Sequence, residues 1–298
     1  MKRKQIYIIL FSILIILFLY ATKLYSITKK GYSLKASFII IINNIDSIIK
    51  KVDFHKETEM FITSKSFNKN KLLLILNNKY FIPTNINRYL SIKTNNINKE
   101  MQYINMSLDY PFYTNIKIVT NPYDKSVLIN KYYSLPKNII YNDLEPIKEN
   151  IYLRKEAKDA LTSLINEATK NNLTINIISG YRTKEYQENL YNNYLKTSGK
   201  TYADNFSARP NHSEHQTGLS VDLSDHTNII ESFYNTNEYI WITQNAHNYG
   251  FILRYPQNKE LITGYNFEPW HYRYVGKIIA TKIYKNNITL EEYYSLPS

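Results

Sequence analysis

The first apolar feature is an unbroken run over residues 6–21, which follows the basic head Met1-Lys2-Arg3-Lys4-Gln5 and carries no charge. Its sixteen residues fall just short of the roughly 20 that cross hydrocarbon, and Gln5 and Thr22 extend it. A cleaved leader wants small residues in an A-x-A-like pattern, but the run is followed only by Ala21-Thr22-Lys23-Leu24. The pattern therefore predicts an uncleaved, single-pass signal anchor over residues 1–22, with the basic residues cytoplasmic and the rest of the chain extracellular. Residues 23–121 read as a small, mostly helical stalk or accessory region. Phe38 to Ile49 is Ile-rich and helical in character, while Leu72-Leu73-Leu74-Ile75-Leu76 fits helix or strand, and periodicity does not decide.

From residue 122 the pattern changes. Pro122, Pro136 and Pro146 punctuate an extended segment in which Val127-Leu128-Ile129 reads as a short strand. A helix is predicted over Leu153 to Lys170, because Leu153, Ala157, Ala160, Leu161, Leu164, Ile165 and Ala168 follow 3–4 spacing along one face. Leu173 to Ile178 alternates into a strand, and a second helix spans Thr183 to Leu195. Gly218–Ser224 and Phe251–Tyr255 read as strands, with a helix near Glu238–Tyr249 between them. The elements interleave without regular βαβ spacing. That predicts an α+β domain over residues 122–298, a small antiparallel sheet flanked by helices.

Composition narrows the class. The net charge of +12 favours anionic partners such as nucleic acid, anionic lipid or an anionic cell wall. No nucleic-acid module is present, so a nucleic-acid partner is not expected, and a Lys excess that aids solubility explains the charge equally well. With only 7 Gly but 29 Tyr and many Ile, Asn and Lys, the bias looks like that of an AT-rich genome; Asn and Lys runs are read as solvated surface. The absence of Cys excludes disulfides, thiolate metal sites, a Cys nucleophile and a lipoprotein anchor.

Two clusters carry chemistry: Ser213-Glu214-His215-Gln216-Thr217-Gly218-Leu219-Ser220-Val221-Asp222 and Glu268-Pro269-Trp270-His271. A hydrolytic zinc site needs three nitrogen or oxygen ligands and an open position for water. His215, Asp222 and His271 supply such a set, leaving Glu268 as the carboxylate that moves protons. In a regular strand Glu268 and His271 would face opposite ways, since their spacing is odd. They converge only if the backbone departs from regular pleating, which Pro269 permits. Arg182, in Ser179-Gly180-Tyr181-Arg182-Thr183, sits between a strand and a helix, where it grips a carboxylate or stabilises an oxyanion. His55, His212, His226 and His247 are read as non-ligands.

Taken with Leu128-Ile129-Asn130-Lys131-Tyr132, Arg254-Tyr255-Pro256 and the extension of the second cluster through Tyr272-Arg273-Tyr274-Val275-Gly276, these motifs resemble the VanY-type D-alanyl-D-alanine carboxypeptidases, within the lysostaphin-like, D-Ala-D-Ala and hedgehog metallopeptidase fold group. The likeness covers roughly residues 122–286. Ser220 stands where the family usually has Ala. The resemblance implies one Zn2+ per chain on His215, Asp222 and His271, Glu268 as general base, Arg182 polarising the scissile carbonyl or holding the substrate carboxylate, and Gln187 and Ser213 as lesser substrate contacts. It implies peptidoglycan stem peptides as partner, with terminal D-Ala released. Rival readings are an L,D-carboxypeptidase or endopeptidase on the same scaffold, or a non-catalytic wall-binding module. Oligomeric state is not legible.

Overall fold

A computed structural model describes residues 2–49, 56–65 and 67–296 of the chain; His55, read above as a non-ligand, lies outside them. The chain divides into two compact units, residues 1–105 with 295–298, and residues 106–294.

The first unit is helical: α1 (Lys2–Thr28), α2 (Leu34–Ile42), α3 (Asp46–Ile49), α4 (Lys56–Thr63), α5 (Lys69–Leu76), α6 (Ile86–Leu90) and α7 (Ile97–Asn105). Within α1, Ile8–Thr28 is long and apolar enough to cross a membrane, and none of its most apolar stretch is buried. The large apolar side chains from Ile8 to Leu19 on this helix are exposed, whereas Ile27 near its end packs into the core of the first unit. The ambiguous leucine stretch falls in α5. Asn68 caps it by accepting from the Lys71 amide, and Leu72, Ile75 and Leu76 point inward at helical spacing.

The second unit mixes helices with small sheets. Its elements are β1 (Lys117–Ile118), β2 (Tyr133–Ser134), β3 (Leu144–Lys148), β4 (Ile151–Arg154), α8 (Lys155–Lys170), β5 (Asn176–Ser179), α9 (Lys184–Phe206), β6 (Ser220–Ser224), α10 (Asn237–Asn245), β7 (Phe251–Tyr255), α11 (Glu260–Thr263), β8 (Glu268–Tyr274), α12 (Lys277–Asn286) and α13 (Leu290–Tyr294). β1 and β2 form a parallel pair and β3 and β4 an antiparallel one. The main sheet has the order β5-β6-β8-β7 and is antiparallel throughout.

One face of that sheet is apolar. Leu219, Val221 and Leu223 around β6, Phe251 on β7, and Tyr272 and Tyr274 on β8 pack on Ala157, Leu161, Leu164 and Ala168 of α8 and on Ile242 of α10. The alternate positions Ser220, Asp222 and Ser224, Arg254, and His271 and Arg273 are buried polar groups, because neighbouring strand residues face opposite ways. Alternation thus separates an apolar packing face from a polar working face.

Several sequence readings change here. Val127-Leu128-Ile129 is not a strand. Val127 and Ile129 are buried with Leu135, and the Val127 carbonyl accepts from Arg273 Nη2 at 2.8 Å instead of from a neighbouring strand. The first long helix begins at Lys155, not Leu153, because Leu153 pairs with Glu145 in the β3–β4 hairpin and Arg154 is extended. The strand predicted from Leu173 starts at Asn176, and α9 runs past Leu195 to Phe206 with a break at Gly199.

Candidate active site

The site grows from one row across the polar face. In the sheet register Ser179 on β5 pairs with Asp222 on β6, and Asp222 pairs with His271 on β8. Directly paired residues carry their side chains on the same face, a few ångströms apart. Asp222 and His271 come from distant parts of the chain and meet for that reason alone.

His215 reaches the row from a 3-10 turn, Glu214–Thr217, that ends on left-handed Gly218 (φ 67°). A Cβ on Gly218 would sit 2.8 Å from Leu144 Cδ2 and 3.0 Å from Arg154 Cγ, so glycine is required by conformation and by space. The turn reverses the chain into β6 and returns Asp222 beside the imidazole. Gly180 is constrained by space alone, since a Cβ there would lie 2.6 Å from the Tyr152 carbonyl oxygen. This close approach lets the Gly180 carbonyl take a hydrogen bond at 2.7 Å from His215 Nδ1, leaving Nε2 facing Asp222 Oδ1 at 3.3 Å.

Glu268 joins through an irregularity. Leu253 pairs with Tyr272 but Tyr255 pairs with Glu268, so two extra residues are accommodated in β8 between these pairs. At this irregularity the backbone departs from regular pleating, and Glu268 Oε2 lies 3.4 Å from His271 Nδ1. Ligand atoms from His215, Asp222 and His271 all fall within 4.8 Å of one another, and all three residues are buried.

Arg182 leaves β5 and folds back. Its Nη2 donates to Asp222 Oδ2 at 2.6 Å and its Nε to Ser179 Oγ at 3.1 Å. Its backbone amide donates to the His215 carbonyl at 3.2 Å, which ties the loop to the 3-10 turn. Gln187 donates through Nε2 to Ala208 O at 2.8 Å, while its Oε1 is buried without a hydrogen-bond partner. Ser213 is buried beside the turn. All seven residues line one cleft of about 500 Å³, bordered by Tyr186, Tyr202, Phe206 and Trp270.

The other described histidines stand apart. His212 Nδ1 is bound to the Asn130 carbonyl at 2.7 Å, His226 is exposed beside Asp225, and His247 stacks on Tyr284 at 3.9 Å.

The electrostatics follow from burial and charge. Burial pushes His215 down to about 4, with Arg182 adding to the effect, so the ring stays neutral at physiological pH. Burial opposes the Asp222 anion, but His215 and Arg182 outweigh it and hold the carboxyl well below its usual value. Burial would also lower His271, yet Asp222, Glu214 and Glu268 raise it to about 9. Burial pushes Glu268 up to about 7, and Asp222 adds to this while His271 opposes it. The donor set is short of positive charge and draws a proton onto His271. Asp222 Oδ1 is buried and accepts no hydrogen bond although two imidazole nitrogens lie within 3.4 Å. An orphaned carboxylate oxygen between two imidazoles fits a divalent cation of zinc's preferences.

Sequence reasoning quotes Glu214, Arg254 and Arg273 within its motifs but gives none of them a role. All three side chains are fully buried and paired: Arg254 Nε and Arg273 Nη1 each lie 2.8 Å from Glu214 Oε1. The available signal was the strand alternation, which puts both arginines on the same face as His271.

Comparison with known proteins agrees with this geometry. The sequence model for VanY, D-alanyl-D-alanine carboxypeptidase, matches residues 150–277. The bifunctional D-Ala-D-Ala dipeptidase and D-Ala-D-Ala carboxypeptidase VanXYC of Enterococcus gallinarum is 38% identical over 175 residues, covering 56% of this chain and 92% of the relative. Among solved structures, the LD-carboxypeptidase LdcB shares 40% identity at a TM-score of 0.58, covering 62% of this chain and 92% of LdcB. A mutant of the vancomycin resistance D,D-pentapeptidase VanY, solved in complex with Zn(II), shares 35% identity at a TM-score of 0.51, covering 57% of this chain and 98% of that one. With identity of this order across nearly the whole of such relatives, the chain belongs to the VanY family of D-alanyl-D-alanine carboxypeptidases.

Proposed function

We propose that the protein is a zinc-dependent D-alanyl-D-alanine carboxypeptidase that removes the terminal D-Ala from peptidoglycan stem peptides. The observation that carries this reading is the convergence of His215, Asp222 and His271 within 4.8 Å at a cleft that also holds Glu268 and Arg182. His215, Asp222 and His271 would hold one ion per chain. When bound, zinc supplies Lewis acidity that acidifies water and polarises a carbonyl.

The chain's own residues do the rest. Glu268 takes a proton from the attacking water. The water oxygen bonds to the carbonyl carbon of the penultimate D-Ala, and charge develops on the carbonyl oxygen. Arg182 is fixed at the edge of the cleft by Asp222 and Ser179, and it offsets that charge or grips the terminal carboxylate. The C–N bond then breaks, and Glu268 passes its proton to the leaving amine. Burial suits Glu268 to both roles by raising its proton affinity, while a nearby dication would favour its anion. Gln187 Oε1, buried and without a partner, and Ser213 are available to orient the peptide.

Catalysis is assigned to the second unit, which holds every one of these residues. α1 serves as the membrane anchor, with residues 2–4 cytoplasmic and the catalytic unit facing the wall. The first unit then acts as a stalk or accessory region.

Zinc-loaded protein is to be incubated with defined pentapeptide and tetrapeptide stems and the products weighed by mass spectrometry. Loss of one D-Ala from the pentapeptide alone is the expected result; no cleavage of either contradicts the proposal. A second reading, L,D-cleavage of the tetrapeptide, is favoured by the 40% identity to LdcB against 35% to the zinc-bound D,D-pentapeptidase. The same assay separates the two.

A further inference from the structure

Beneath His271 lies a closed group of four charged side chains. Glu214 Oε1 accepts from Arg254 Nε and from Arg273 Nη1, both at 2.8 Å. Arg254 turns its other two nitrogens to Glu291 on α13, with Nη1 2.9 Å from Oε2 and Nη2 2.7 Å from Oε1. None of the four side chains is more than 2% exposed. Two carboxylates balance two guanidiniums, which is the condition for keeping such charges out of water. Asn130 further fixes Glu291 by donating to Oε1 at 3.1 Å, and Arg273 Nη2 donates to the Val127 carbonyl. Asn130, Val127 and Glu291 all lie outside the residues matched by the family.

This group meets the candidate metal site at one atom. His271 Nδ1 faces Asp222 Oδ1 and Glu268 Oε2, both at 3.4 Å. Its Nε2 is buried, makes no hydrogen bond, and lies 3.6 Å from the second oxygen of Glu214. An imidazole that gives one nitrogen to a metal must keep a proton on the other, and the partner of that proton sets the tautomer and the ring angle. His215 has such a partner in the Gly180 carbonyl. For His271 Nε2, the charged neighbour among the described residues is Glu214.

We propose that Glu214 is the positioning residue for His271: it holds the ring with Nε2–H toward itself and Nδ1 open to the metal. The inference rests on the reading of His215, Asp222 and His271 as zinc ligands.

The test is zinc affinity of the detergent-solubilised full-length chain, measured by chelator competition for wild type, Glu214→Gln and Glu291→Gln. Both variants remove one carboxylate charge from Arg254, but only the first touches the metal ligand. Glu214→Gln is expected to weaken zinc binding about 10–100-fold, while Glu291→Gln stays within about threefold of wild type despite a lower Tm. Equal losses in the two variants, or wild-type affinity in Glu214→Gln, overturn the proposal. Should Glu214→Gln fail to fold, 15N-histidine spectra of the zinc-loaded wild type decide: a proton on His271 Nε2 supports the proposal, and one on Nδ1 overturns it. If wild type binds no zinc, the ligand assignment itself falls; if it binds zinc and only the variant result fails, the assignment stands and Glu214 is merely structural.

Discussion

Asp222 does several jobs at once. It pairs across the sheet with His271, faces His215, and anchors Arg182 through its second oxygen. Glu268 sits at the edge of that group, 3.4 Å from His271 Nδ1 and with no guanidinium hydrogen bond among the described residues. Glu268→Gln is therefore expected to retain zinc while its kcat falls by about 10²–10⁴-fold; near wild-type turnover with zinc bound would remove it from the mechanism. A different titration is set by Lys131, buried at 2% exposure, which donates to the carbonyls of Asp204 and Gly264 and lies 4.8, 5.5 and 4.5 Å from the ring centres of Phe112, Tyr113 and Tyr265. Burial pushes its pKa down to about 8. The unfolded side chain titrates near 10.4, so between these values the unfolded state binds more protons and stability rises with pH. Wild type should therefore gain on Lys131→Met by on the order of 2 kcal/mol between pH 8 and 10, followed by denaturant unfolding. A gap that does not change with pH would show that Lys131 titrates normally.

At the scale of elements, the site depends on two irregularities in an otherwise plain sheet. β5 carries an extra residue between Ile177 and Ser179, and β8 carries the bulge that turns Glu268 toward His271. The 3-10 turn closed by Gly218 sets His215, the third proposed ligand. Gly218→Ala should cost about 1–3 kcal/mol, read as a lower Tm, and loosen zinc through His215; an unchanged Tm would mean the turn relaxes without loss. Much of this is legible in the sequence. The residue types and order of the two clusters bring out His215, Asp222, His271 and Glu268, and Pro269 flags the departure from pleating. The Asp222–His271 pairing is not legible, because cross-strand register is a non-local property. Nor are Glu214, Arg254 and Arg273 legible as a buried group: single charged residues usually face water, in a strand as for the arginines or in a turn as for Glu214, and Glu291, the partner that neutralises Arg254, lies 37 residues away. The helix start is not legible at Leu153, because an apolar residue near the end of a hairpin strand continues the helical period by chance.

At the scale of the whole molecule, an apolar helix precedes a unit with a buried ionic working face. The full-length chain should pellet with membranes and stay there in high salt, which strips proteins held by surface charge alone. Release by salt would mean that the +12 net charge, not α1, holds it. The central claim is that three side chains from two distant stretches close around a single ion beside Glu268. Anomalous diffraction at the zinc edge from zinc-soaked crystals tests it most directly. The account predicts one strong peak per chain, about 2.0–2.2 Å from His215 Nε2, an Asp222 carboxylate oxygen and His271 Nδ1. A peak elsewhere, or none within reach of all three, would contradict it.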